Sequence, residues 1–380
     1  MKTSLAGLMF TLMVGMMSDS TARSDSTKTT LVFISSFAAG AEGAIGAFHI
    51  DPVAGTLTPA HRTSGVEHPF FLALSPDRRF LYSIQARQFG GTENEHVAAY
   101  AISGAGELTL LNRQSSRGTA SCYLDVDASG KTLLVANYSS GSVAALPVRK
   151  DGSLGEPTAF IQHQGSSVNP ERQTGPHAHC IVVSPDNRHA FSADLGMDQI
   201  VSYQLDAAKA NLTPSRQPFV RTAPGMGPRH LTFRPNGRHV YVINEIGNSV
   251  TLFDYEPGTG GLIERQTLSS LPKDFKGKTA CADLKITPDG RFLYGTNRGH
   301  DSIAAYRLAD DGRLSLIGIH PSLGKGPQNL AIVDGGRLLL CANLPRNNVA
   351  LFRIDPQTGG LTSVGQPVPV TSPSCIMSVK

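Results

Sequence analysis

Tryptophan is absent from the 380-residue chain, and cysteine occurs only five times, at positions 122, 180, 281, 341 and 375. Those thiols are odd in number and widely spaced. The spacing excludes a dense disulfide framework of the kind that staples small secreted domains. It equally excludes a zinc site built on close cysteine pairs. Each cysteine lies in or beside an apolar strand pattern, so buried free thiols are expected. There is no His/Glu ligand spacing for zinc and no alternating-aspartate loop for calcium, so no metal is expected. No cofactor-binding motif is present either, and none is expected. Charge is sparse: 34 Lys and Arg against 30 Asp and Glu leave a formal net charge of +4, with no basic run. A nucleic-acid interface shows as a concentrated basic stripe, so nucleic acid is set aside as a partner.

Long apolar runs are missing with one exception. Lys2 precedes LAGLMFTLMVGMM (5–17), and SDSTA follows, with Ser20 and Ala22 at the small-residue positions before a cleavage site. This is the layout of a secretory signal peptide, and the run is too short to span a bilayer comfortably. The expected organisation is a signal peptide over 1–22, a linker over 23–30 and one domain over 31–380. The expected location is exported, periplasmic or secreted, with no membrane contact after cleavage. An uncleaved membrane anchor is the alternative.

Glycine and proline are plentiful, at 39 and 24 residues, which suits a turn-rich β protein. A small-x-Leu tripeptide recurs, with leucines at 57, 108, 154, 212, 262, 314 and 361. That spacing of about 50 residues belongs to four-stranded propeller blades. A second series consists of strand–turn–strand units: SPDRRFLYSIQ, DASGKTLLVAN, SPDNRHAFSAD, RPNGRHVYVIN, TPDGRFLYGTN and VDGGRLLLCAN. A third follows them, exemplified by HVAAYAI and SVTLFDY. The first copy lacks an inner strand, and the last residues, SPSCIMSVK, supply an isolated one. The expected fold is therefore all-β. It is a seven-bladed propeller with four antiparallel strands per blade, closed where the C-terminal strand joins the N-terminal blade. A period unbroken from about residue 31 argues against two domains.

Two positions per repeat escape the pattern. One begins the inner strand: Phe70, Cys122, His179, Arg229, Ala282, Gln328 and, in the closing strand, Ser374. The other follows the second strand: Phe37, Ala86, Tyr138, Leu195, Glu245, Arg298 and Leu344. The strands run in opposite directions, so both positions meet at one rim. His179, Arg229, Glu245 and Arg298 come from three consecutive blades and converge on one sector. One reading is a surface salt-bridge network of little consequence. The other is an anion-binding site, with Glu245 held ionised by the arginines and His179 titrating near neutrality. Strand alternation places His177 on the side of His179. The short polar residues that end the second strands, Asn244 and Asn297 among them, are repeat grammar, expected to hydrogen-bond a neighbouring turn. Asn244, Asn297 and His177 are carried as candidate substrate-binding residues. His68 is expected to be structural, His230 and Asp283 to bond between blades, and Asp194 and Asp198 to serve turns.

GPHAHCIVVSPDNRHAFSADLGMDQIVSY, GPRHLTFRPNGRHVYVINEIGNSVTLFDY and ITPDGRFLYGTNRGHDSIAAYRL resemble the seven-bladed lactonase family. That family includes propeller-type 6-phosphogluconolactonases and the fungal carboxymuconate lactonizing enzyme. The resemblance covers nearly the whole mature chain. It implies metal-independent chemistry on a lactone ring. In the lactonizing branch a histidine, two arginines and a glutamate line the channel mouth, and His179, Arg229, Glu245 and Arg298 fall on the matching positions. One departure is Cys122-Tyr123, where related sequences often carry Cys-His. Export is a second, because a sugar phosphate is a cytoplasmic intermediate. The expected activity is hydrolysis of a sugar-type lactone to its acid. Arg229 and Arg298 would hold an anionic group and the developing oxyanion, with Glu245 and His179 in acid–base roles. The alternatives are a muconate-type cyclisation, and a non-catalytic exported propeller that binds an anionic ligand or partner protein. The expected partner is a small anionic lactone.

Overall fold

The computed structural model describes Met1 and residues 30–379. The expected signal peptide and linker, 1–22 and 23–30, lie outside these residues apart from Met1 and Thr30. The described chain forms seven antiparallel sheets, six of four strands and one of five. The five-stranded sheet arises because the outer strand of the seventh blade comes in two pieces, Leu361–Ser363 and Val368–Pro369. The first blade is assembled from both ends of the chain. Its inner strand, Pro373–Ser378, pairs with Thr30–Ser36, which continues outward to Ala44–Asp51 and Thr56–Ser64. The ring is thus closed as expected, and closure protects what would otherwise be exposed strand edges.

The recurring tripeptides have a physical reason. Tyr82, Tyr241 and Tyr294 sit on the second strands of blades 2, 5 and 6. Their hydroxyls donate to the carbonyls of Gly152, Gly312 and Gly359, at 3.2, 2.7 and 2.9 Å, each in the next blade. The small residue before x-Leu therefore lets a buried tyrosine reach the backbone of its neighbour, and a buried phenol needs that partner. In six blades the leucine begins or lies next to the start of the outer strand. Blade 3 differs: Leu154 makes only an isolated bridge to Val148, and the outer strand is Ala159–Gln162. The turns between inner and second strands need one residue in the left-handed region. Gly237 and Gly290 adopt it at φ of 68° and 70°, where a side chain would be strained.

The core lies in layers between neighbouring blades. Val32 and Ile34 of blade 1 pack with Leu338 and Leu340 of blade 7, so the junction of the chain ends is hydrophobic as well as hydrogen-bonded. Leu340→Ala would open a cavity there and cost about 2–5 kcal/mol. All five cysteines are free and buried, in line with their apolar strand surroundings.

Candidate active site

The inner strands carry a feature that alternation does not reveal. In blade 4 Ala178 pairs with Asp194 and Cys180 with Ala193, leaving His179 without a partner residue. Arg229 stands between Pro228 and His230 in the same way, Cys122 between Ser121 and Tyr123, and Gln328 between Pro327 and Asn329. Each is the extra residue of a β-bulge, a device that re-aims a side chain. Cys122, His179, Arg229 and Gln328 all line one pocket of about 250 Å³. The ends of three second strands add Tyr138 and Glu245, each just past its strand, and Arg298, the last residue of its own, to the same wall.

Glu245 is the hub. Its Oε2 lies 2.9 Å from Arg229 Nε and 2.8 Å from Arg298 Nη2, and its Oε1 accepts from Arg172 Nη2 at 2.6 Å. His179 Nε2 is 3.9 Å from Oε2. Arg229 is 1% exposed and Glu245 4%, so this is a buried charge cluster and not a surface network. Burial alone would raise the pKa of Glu245, but Arg298, Arg229 and Arg172 outweigh it and bring it to about 2. Burial lowers the pKa of His179 well below its ordinary value, and Arg229 and His230 push the same way. The imidazole is therefore neutral near pH 7, and the expectation that it titrates near neutrality does not hold, because burial beside Arg229 disfavours its charged form. Burial raises the Cys122 thiol well above its ordinary range, and Sγ lies 3.2 Å from the His179 carbonyl oxygen, placed to donate to it. Arg229 Nε, although close to Oε2, has no hydrogen-bond acceptor, so its N–H is off the line to the carboxylate.

Sequence reading missed Arg172. It stands on an irregular connection between blades 3 and 4 that has no counterpart in the repeat. Asn169 Oδ1 accepts from the backbone N–H of Glu171 and Arg172, and Gln173 Nε2 donates to Leu195 O at 2.8 Å, which ties the connection down. The Arg172 side chain, 39% exposed, reaches over the pocket and also donates to the Tyr138 hydroxyl at 3.2 Å. The aromatic half of the pocket was missed too. Phe70 and Phe89 line it at a centroid separation of 4.9 Å, with Phe37 packed edge-on against both. Phe37 and Phe70 occupy the two exceptional repeat positions, so a signal was present.

Three candidate substrate-binding residues lie elsewhere. His177 precedes its strand, so alternation with His179 does not apply; its ring stacks on Tyr138 at 4.5 Å and its Nδ1 is 3.0 Å from the Tyr138 carbonyl oxygen. It supports the pocket wall from behind. Asn244 and Asn297 are fully buried in their blades. Asn297 Nδ2 donates to Ser270 O and Asn244 Nδ2 to the hydroxyls of Ser249 and Thr251. They are scaffold, in keeping with the repeat grammar, and neither lines the pocket. His68 Nδ1 lies 2.9 Å from Ala86 O, and Asp194 and Asp198 accept backbone N–H groups of turns, including Gly196 and Gly227.

Residues 31–378 match the family described as Lactonase, 7-bladed beta-propeller. The chain belongs to that family. It is 33% identical over 346 residues to the 6-phosphogluconolactonase of Bacillus subtilis, covering 90% of this chain and 97% of that protein. It is 34% identical over 311 residues to the 6-phosphogluconolactonase of Formosa agariphila, covering 80% and 87%. Among solved structures, the periplasmic gluconolactonase of Pseudomonas aeruginosa superposes with a TM-score of 0.87 at 32% identity, covering 93% of this chain and 99% of that one. These relatives support lactonase function for the chain.

Proposed function

We propose that the protein hydrolyses a sugar-type lactone bearing an anionic group, 6-phosphogluconolactone-like, to the free acid. The observation that carries this is the charge of the pocket. Three guanidiniums face one carboxylate and a neutral imidazole, an excess of two positive charges. Such a site favours an anionic ligand and the oxyanion formed when a carbonyl is attacked. The names of the Bacillus and Formosa relatives point to the same substrate class.

The contacts assign the roles. Glu245, held ionised among three guanidiniums, fixes them and orients water. Neutral His179 takes the proton as the water oxygen bonds to the lactone carbonyl carbon. The guanidiniums of Arg298 and, behind it, Arg229 meet the negative charge that develops on the carbonyl oxygen. The ring carbon–oxygen bond then breaks, and the imidazolium returns the proton to the leaving oxygen. One equivalent of water is consumed and one acid is released.

The test is acid release by the mature protein from 6-phosphogluconolactone, gluconolactone and a muconolactone, against the spontaneous rate. Saturable hydrolysis that disappears in Arg298→Ala is expected, with the phosphorylated lactone preferred. Rates no faster than buffer across the panel would sink the lactonase assignment and leave an anion-binding propeller. Export is part of the proposal, supported by the apolar run at 5–17 and by the likeness to a periplasmic gluconolactonase. Intact mass of the protein recovered from the extracytoplasmic fraction checks it, and a full-length cytoplasmic product would refute it.

A further inference from the structure

Side chains that the proposed reaction does not use form a polar line that starts from Arg229. Arg229 Nη1 lies 3.1 Å from His230 Nε2 and also donates to the Ala282 carbonyl. On the far side of the ring, His230 Nδ1 lies 2.9 Å from Asp283 Oδ1. Asp283 in turn accepts from Lys285 Nζ, from Asn329 Nδ2 and from the Leu330 N–H. Three rings also lie near the imidazole: Tyr123 at 4.9 Å, His179 at 5.4 Å and Phe71 at 6.0 Å between centroids. His230 is 3% exposed and Asp283 1%.

A guanidinium cannot accept a hydrogen bond. The contact with Arg229 therefore requires Nε2 to be the bare nitrogen, and Nδ1 to carry the proton. Asp283 imposes that tautomer by accepting from Nδ1, much as a buried carboxylate orients a catalytic imidazole. We propose that Asp283 and His230 are positioning residues for Arg229. Through the fixed tautomer, His230 supplies an acceptor that, with the Ala282 carbonyl, holds one terminal nitrogen of the guanidinium. Rotation of the group is then blocked, and its Nε stays buried 2.9 Å from Glu245 Oε2, which fixes the guanidinium in the pocket wall. The protonation states agree. Burial works against charge on Asp283, but Lys285 and His230 outweigh it and hold the carboxyl far below its usual range. Burial, with Arg229, lowers His230 to about 3.

The inference rests on the role given to Arg229 under the lactonase reading, so the experiment separates the two. Nitrogen-15 NMR of the wild-type protein reads the His230 tautomer directly. The neutral Nδ1–H form is expected throughout pH 5 to 8; a proton on Nε2 would overturn the proposal. Substitutions then test the consequence. His230→Asn keeps a donor near Asp283 and removes the acceptor for Arg229, whereas His230→Gln restores an oxygen near the Nε2 position. His230→Asn is expected to lower kcat/KM on the preferred lactone about 10- to 100-fold, the scale of a lost hydrogen bond to a charged group. His230→Gln is expected to recover most of it at a similar melting temperature. Equal activity in the two variants, or losses that track melting temperature, would reduce His230 to a packing residue. If the wild type turns over no lactone, the lactonase reading fails. Inorganic phosphate affinity of the same two variants then tests the positioning of Arg229 by the same order.

Discussion

Blades 4 to 6 and blades 1 and 2 place opposite chemistry on the same repeat positions. Blades 4 to 6 put His179, Arg229, Glu245 and Arg298 there, and blades 1 and 2 put Phe37 and Phe70, joined by Phe89 from the next loop. The frame is indifferent to the choice. Turn and interblade tyrosine are made by other residues, and the bulge leaves its extra residue without a strand partner, so these positions are free to carry function. The two halves are held differently. The charged half is stabilised by mutual compensation across blades, and removing one member exposes the rest. The phenyl half is held by ring packing, and its loop is pinned by Glu95, whose carboxylate accepts the N–H groups of Gly90, Ala120 and Ser121 at 3.0, 2.9 and 2.7 Å.

Breaking the hub of the charged half should have the largest effect. Glu245→Gln leaves three guanidiniums uncompensated and is expected to cost about 3–5 kcal/mol in denaturant unfolding, as for a broken buried ion pair. Lactone turnover should fall roughly 10²- to 10⁴-fold. A variant as active and as stable as wild type would remove Glu245 from the site. Next, Arg298→Ala should lower kcat on the order of 10²- to 10³-fold, as for a lost oxyanion donor. An increase in KM alone would make Arg298 a binding residue only.

Acid separates the halves without mutation. The Glu245 pKa is depressed from 4.5 to about 2. Its stabilisation is therefore complete above pH 4.5 and is lost as the pH falls toward about 2. Acid unfolding followed by near-ultraviolet circular dichroism should show that loss in wild type and Phe89→Ala alike, and less of it in Glu245→Gln. The same acid midpoint in Glu245→Gln would assign the titration to another group. The smallest effect is expected from the phenyl half. Phe89→Ala should raise KM roughly tenfold, the scale of apolar burial lost, with kcat almost unchanged; a comparable fall in kcat would mean that the rings also align the reacting atoms.

Much of this was open to a reader of the sequence. Seven leucines at a steady spacing and the Pro-Asp-Gly-like turns marked the blades, and the split first repeat marked the closure. The convergence of His179, Arg229, Glu245 and Arg298 followed from strand direction alone. Three things were not legible. Alternation misplaced His177, because the strand begins at Ala178 and His179 is a bulge residue. Arg172 stands outside the repeat, so no comparison between copies could single it out. The network read as a possible surface feature is buried, which turns a weak ion-pair cluster into one that shifts protonation states.

The sequence by itself determined the ring, because strand periodicity and turn chemistry are local choices repeated from blade to blade. Only the tertiary structure decided what the rim can do. Depth of burial, the sharing of Glu245 among three arginines and the tautomer of His230 depend on distances between residues far apart in the chain. Electrostatic interaction and desolvation act through space, and chain order does not record them.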